Sequence, residues 1–176
     1  MIPIELDIQF VAPHSDLEHE MVELWVKTAV NAVLNVYEDL DLLAPYQKAL
    51  FTIRFCDTEE GQSLNQQFRD KDYATNVLTF EYGIDSEGTV SSDIIICVPV
   101  LENEAEEQQK PFLHHAAHLC IHGVLHSLGY DHIEEEEAEE MEELEIEILQ
   151  ELAIANPYPN ERISSWQDFK NLARPI

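Results

Sequence analysis

Between residues 122 and 132 the chain reads His-Gly-Val-Leu-His-Ser-Leu-Gly-Tyr-Asp-His, and this spacing constrains the fold more than any other stretch. Residues four apart on an α-helix are offset by only about 40° and rise about 6 Å. His122 and His126 therefore stand on one helix face, one turn apart, as two ligands of a single zinc ion must. Gly129 suits the positive φ that ends a helix, so the chain can turn and bring His132 in from a third direction. Three neutral imidazoles leave one tetrahedral position for water, which is the pattern of a catalytic zinc. Water held there loses its proton near about pH 7, so the stretch reads as a hydroxide generator.

The spacing matches H-E-x-x-H-x-x-G-x-x-H at each ligand and at the glycine. Gly123 stands where that motif carries glutamate, the general base of the zinc peptidases. Peptide hydrolysis by their mechanism is disfavoured. The plainer alternative, helix-packing histidines with no metal, leaves the placement of Gly129 unexplained.

Composition narrows the class. At 176 residues the chain is long enough for one domain with a sizeable core, and 45% apolar content is that of a folded protein. Cys56, Cys97 and Cys120 lack metal-ligand spacing and read as reduced core residues of a cytosolic protein. Cys120 would point about 200° away from His122 on a helix and is not counted as a ligand. No secretory leader opens the sequence, and no run approaches the roughly 20 apolar residues of a membrane span. A cytoplasmic location is expected. The net charge of −27 repels polyanions at long range. Eleven glutamates fall between residues 134 and 151, and the simplest reading of them is a solvated helix face.

Residues 4–10 alternate apolar and polar, as a half-buried strand does. Ser15 with Glu18 forms a capping box for a helix whose apolar positions are Leu17, Met21, Leu24, Trp25, Ala32, Val33 and Val36. A second strand covers 50–55, Asp57 and Glu60 signal another cap, and a short helix runs through Phe68. Strands follow at 77–81 and 93–98, the latter apolar enough for a sheet interior. Residues 102–109 read as an exposed helix, Pro111 opens the motif helix, and an acidic helix carries Ala138, Met141, Leu144, Ile148 and Leu152 on one stripe. His14, His19 and His115 are taken as surface residues. The expected fold is α+β, a small mixed sheet packed by helices with the metal in a cleft beside the motif helix. One domain spans residues 1–156, and residues 157–176 form a tail anchored by Trp166.

His-Gly-x-Leu-His-x-x-Gly-Tyr-Asp-His resembles the signature of the YbeY family of endoribonucleases. Leu64-Asn65-Gln66-Gln67-Phe68-Arg69, Thr75-Asn76-Val77-Leu78-Thr79-Phe80 and Ser92-Asp93-Ile94-Ile95-Ile96 are similar to further family segments, so the likeness covers roughly residues 50–153. The chain departs from the family pattern at Asn76 (usually Asp), Ser92 (usually Gly) and Ser127 (usually Leu). The resemblance implies zinc bound by His122, His126 and His132. It also implies a catalytic role for Arg69, which composition alone would place in a surface ion pair with Asp70 or Asp72. His118, one turn before His122, aligns with a recurring family histidine and reads as a core or supporting residue. Asp131 either orients a ligand imidazole through its second nitrogen or caps the turn.

The implied activity is zinc-dependent cleavage of single-stranded RNA in ribosomal RNA processing, namely small-subunit 16S maturation and ribosome quality control. Ribosomal proteins or an Era-type GTPase are the implied partners, with no membrane. Two other readings stand beside it: a zinc hydrolase of another kind, and a non-catalytic ribosome-associated zinc protein.

Overall fold

The computed structural model describes residues 1–130 and 134–158. In chain order the elements are β1 (Ile4–Phe10), α1 (His19–Asp39), β2 (Lys48–Cys56), α2 (Thr58–Arg69), β3 (Val77–Ile84), β4 (Thr89–Cys97), α3 (Val98–Glu107), α4 (Phe112–Ser127) and α5 (Glu135–Glu151). The four strands form one sheet in the order β1-β2-β4-β3. β1 and β4 run parallel to β2, while β3 lies antiparallel to β4 at the edge. This is the expected mixed α+β architecture.

β4 reads as a continuous apolar run because both of its faces are covered. Ile94 and Ile96 enter the larger core, built with α1, α4 and α5. Ile95 and Cys97 enter a smaller core that takes Leu64 of α2 and Val100 of α3. All three cysteines are buried free thiols.

Several expectations shift. The Asp57 cap forms, its carboxylate accepting from the Glu60 amide at 2.9 Å, but Ser15 caps nothing. α1 starts at His19 behind Glu18, with no side-chain cap. Its buried stripe is Val22, Trp25, Val26, Ala29, Val30 and Val33, leaving Leu24 55% exposed. α1 is apolar on two neighbouring stripes, and the stripe turned toward the sheet and α4 is the one that packs. β3 is longer than expected, with a bulge between Glu81 and Gly83 before the 85–88 turn. His14 is not a plain surface residue: its ring stacks on Phe112 at 3.8 Å between centroids. His115 is buried, because α3 packs on α4 and brings the Glu104 carboxylate to 2.9 Å from its Nε2.

The three departures from the family pattern have partners. Asn76 Nδ2 donates to Glu104 at 3.2 Å while its Oδ1 accepts from the Val77 amide at 2.7 Å. An aspartate there would face the Glu104 carboxylate with no proton to give. Ser92 and Ser127 bond each other, Oγ to Oγ, at 2.6 Å, and Ser127 also donates to the Gly123 carbonyl at 2.8 Å.

Candidate metal centre

α4 runs through the middle of the larger core, so its position against the sheet fixes where its histidines stand. Gly123 lets that approach happen: a Cβ at this position would lie 2.8 Å from Ile94 Cγ2. The place held by glutamate in the peptidase motif is here pressed against the sheet. A carboxylate could not be accommodated there without moving the helix.

The other face of α4 carries the imidazoles. The His122 and His126 rings are 5.2 Å apart between centroids, with their planes at 76°. Two imidazoles bound through nitrogen to one tetrahedral zinc, at about 2.0–2.1 Å each, have centroids about 5 Å apart. The pair fits. The Nε2 atoms of both rings are buried. His122 Nδ1 lies 2.8 Å from Glu145 Oε2. A carboxylate accepts, so Nδ1 is the donor here, and in the neutral ring that leaves the lone pair on Nε2. His126 Nδ1 lies 3.6 Å from Glu81 Oε1, a carboxylate from the edge strand. Glu81 reaches α4 because it shares the strand face of Val77, which enters the larger core.

Of the expected site residues, the structure brings His118, His122 and His126 together along one face of α4. His132 and Asp131 lie outside the described residues, and among those described no three His, Cys, Asp or Glu side chains are placed to hold a metal. Gly129 has φ +107°, as the turn after the helix requires. Arg69 ends α2, and Asp70 follows in the left-handed conformation at φ 57°. Asp72 accepts from Gln62 at 2.9 Å. Partial burial lowers the Arg69 pKa, and the Glu81 charge opposes that shift.

His118 is buried behind His122, its Nε2 3.3 Å from the Tyr158 hydroxyl and 3.4 Å from Glu145 Oε2. Burial lowers its pKa against the pull of Glu145. Glu145 does not belong to the solvated face that the acidic stretch suggests. It is 0% exposed, and Tyr158 donates to its Oε1 at 2.5 Å. Burial alone would raise its carboxyl, but His122 and His118 hold it well below the usual carboxylate range. Tyr158, assigned by sequence to the tail, is itself buried. The available signal was its position: Glu145 follows Met141 by four and precedes Leu149 by four, on the packed side of α5.

The family model for endoribonuclease YbeY matches residues 8–153. The chain belongs to the YbeY family. Endoribonuclease YbeY of Cupriavidus necator is 50% identical over 141 residues, which cover 80% of this chain and 64% of that relative's length. The YbeY of Bordetella avium is 57% identical over 118 residues, covering 67% of this chain and 73% of its own length. A solution structure of a Thermotoga maritima protein shares the fold at a TM-score of 0.52 and 21% identity, covering 91% of this chain and 99% of that one. No helix among the described residues is long and apolar enough to cross a membrane.

Proposed function

We propose that this YbeY-family chain is a zinc-dependent endoribonuclease that cuts single-stranded RNA during small-subunit ribosomal RNA maturation and ribosome quality control. The observation that carries the reading is the His122–His126 pair, 5.2 Å apart with the His122 Nδ1 bonded to a buried carboxylate. The relatives named above are endoribonucleases by description, and their shared name supplies the substrate class. Zinc held by His122, His126 and His132 would supply Lewis acidity and a nucleophile at neutral pH.

The chain's own residues do the rest. Arg69 can bridge two oxygens of a phosphodiester and offset the charge that builds on them during cleavage. Glu81 lies 3.6 Å from His126 Nδ1, and its charge also acts on Arg69. With a net charge of −27, binding rests on this local site, corresponding to about one to three phosphate contacts. The acidic surface fits basic ribosomal proteins or an Era-type GTPase as partners, in the cytoplasm.

The test is direct. Purified protein should contain one zinc per chain and should cut an unpaired ribosomal RNA segment while sparing the same segment annealed into a duplex. Protein carrying zinc but leaving both intact would overturn the catalytic reading.

A further inference from the structure

Glu145 is the one carboxylate of α5 with no exposed surface at all, although it belongs to a helix with three glutamates in its first turn. Its two oxygens meet three groups. Oε2 lies 2.8 Å from His122 Nδ1 and 3.4 Å from His118 Nε2, and Oε1 takes the Tyr158 hydroxyl at 2.5 Å. The three come from different parts of the chain: two turns of α4, and the segment after α5. A buried carboxylate is retained only where its lone pairs are filled, and here each filling group also fixes the direction of the next.

We infer that Glu145 is a positioning residue of the metal site, which holds the His122 proton on Nδ1 and so presents Nε2 to the metal. This rests on the zinc reading above but concerns the protein before metal arrives. A neutral imidazole has two tautomers, and only the one with the proton on Nδ1 offers a lone pair at Nε2. A carboxylate beside Nδ1 selects that tautomer, and it also raises the basicity of the nitrogen that binds. Tyr158 and His118 stop the carboxylate from rotating away. In an amide at position 145, an NH2 group could instead face Nδ1 and favour the opposite tautomer.

The experiment reads the tautomer in metal-free protein from the imidazole 15N shifts of His122, assigned with a His122→Asn variant. Zinc affinity is measured alongside by competition with a chromophoric chelator. Wild type should show the Nδ1-protonated form alone. Glu145→Gln should move much of the proton to Nε2 and weaken zinc by about 10–100-fold. Tyr158→Phe leaves the carboxylate in place and loosens it, so a smaller loss of a few-fold is expected. It carries the test should Glu145→Gln fail to fold. A folded Glu145→Gln protein with wild-type tautomer and wild-type zinc affinity overturns the inference, and in its absence so does an unchanged Tyr158→Phe. Wild type that takes up no zinc overturns the metal reading instead, a result distinguishable because the tautomer is read without metal.

Discussion

The two faces of α4 are built on opposite principles. Toward the sheet, Gly123 lies so close to Ile94 that one added carbon would meet it at 2.8 Å, and Ser127 reaches across to Ser92. Toward α5 and the β3 rim, the helix presents His118, His122 and His126, two of which meet Glu145 and the third Glu81. One face is set chiefly by how near the helix backbone comes to the Ile94 side chain, the other by which donor meets which acceptor. The difference teaches that the site is made rigid from behind. The sheet contact fixes the height of the helix, and the carboxylates then have only to orient rings already in place.

Substitutions on the two sides should therefore fail in different ways. The largest effect is expected at His126→Ala, which should stay folded yet lose tight zinc binding. Metal analysis after exhaustive dialysis checks it, and full zinc content in the variant would remove His126 from the ligand set. Arg69→Ala comes next. It should keep its zinc and its melting temperature but lose about a hundredfold in cleavage rate, or about 3 kcal/mol. Arg69→Lys should restore part of this, since lysine cannot bind two oxygens at once. Wild-type cleavage by the alanine variant would end its catalytic role.

On the packing side, Gly123→Ala should cost about 1–3 kcal/mol in urea unfolding through overpacking against Ile94, with zinc stoichiometry kept. An unchanged midpoint would mean that the helix is free to lift off the sheet. The smallest effect is Ser127→Ala, about 1 kcal/mol, because it strands the Ser92 hydroxyl in a buried site. Removing both hydroxyls should cost less than the two single changes added together, and strict additivity in that double-mutant cycle would deny the pair any coupling.

What the sequence disclosed follows the same division. The spacing of His122, His126 and Gly129 specifies one helix and its end, a matter of local geometry, and the structure has both. β4 was readable as an interior strand because being covered on both faces leaves an unbroken apolar run. Features that depend on a partner far away in sequence were not readable. His115 is buried by Glu104 of another helix, and Glu145 looks like every other glutamate of α5 until His122 is placed beside it. Leu24 and Val26 both satisfy helical spacing, and only the location of α4 decides which of them packs. Tyr158 sits beyond a Pro-rich punctuation that reads as the end of the fold, yet its hydroxyl finds the one fully buried carboxylate of α5.

The order in which these residues are made has its own consequence. During synthesis α4, with His122 and His126, is made before α5 brings Glu145, and Tyr158 is later still. His126 can already meet Glu81 of the earlier β3, but nothing chooses the His122 tautomer until Glu145 lies beside it. The choice comes only when α5 folds back and the segment behind it closes over the carboxylate. On the zinc reading proposed above, metal binding is linked to the packing of α5, and a binder specific for the folded chain stabilises it by mass action.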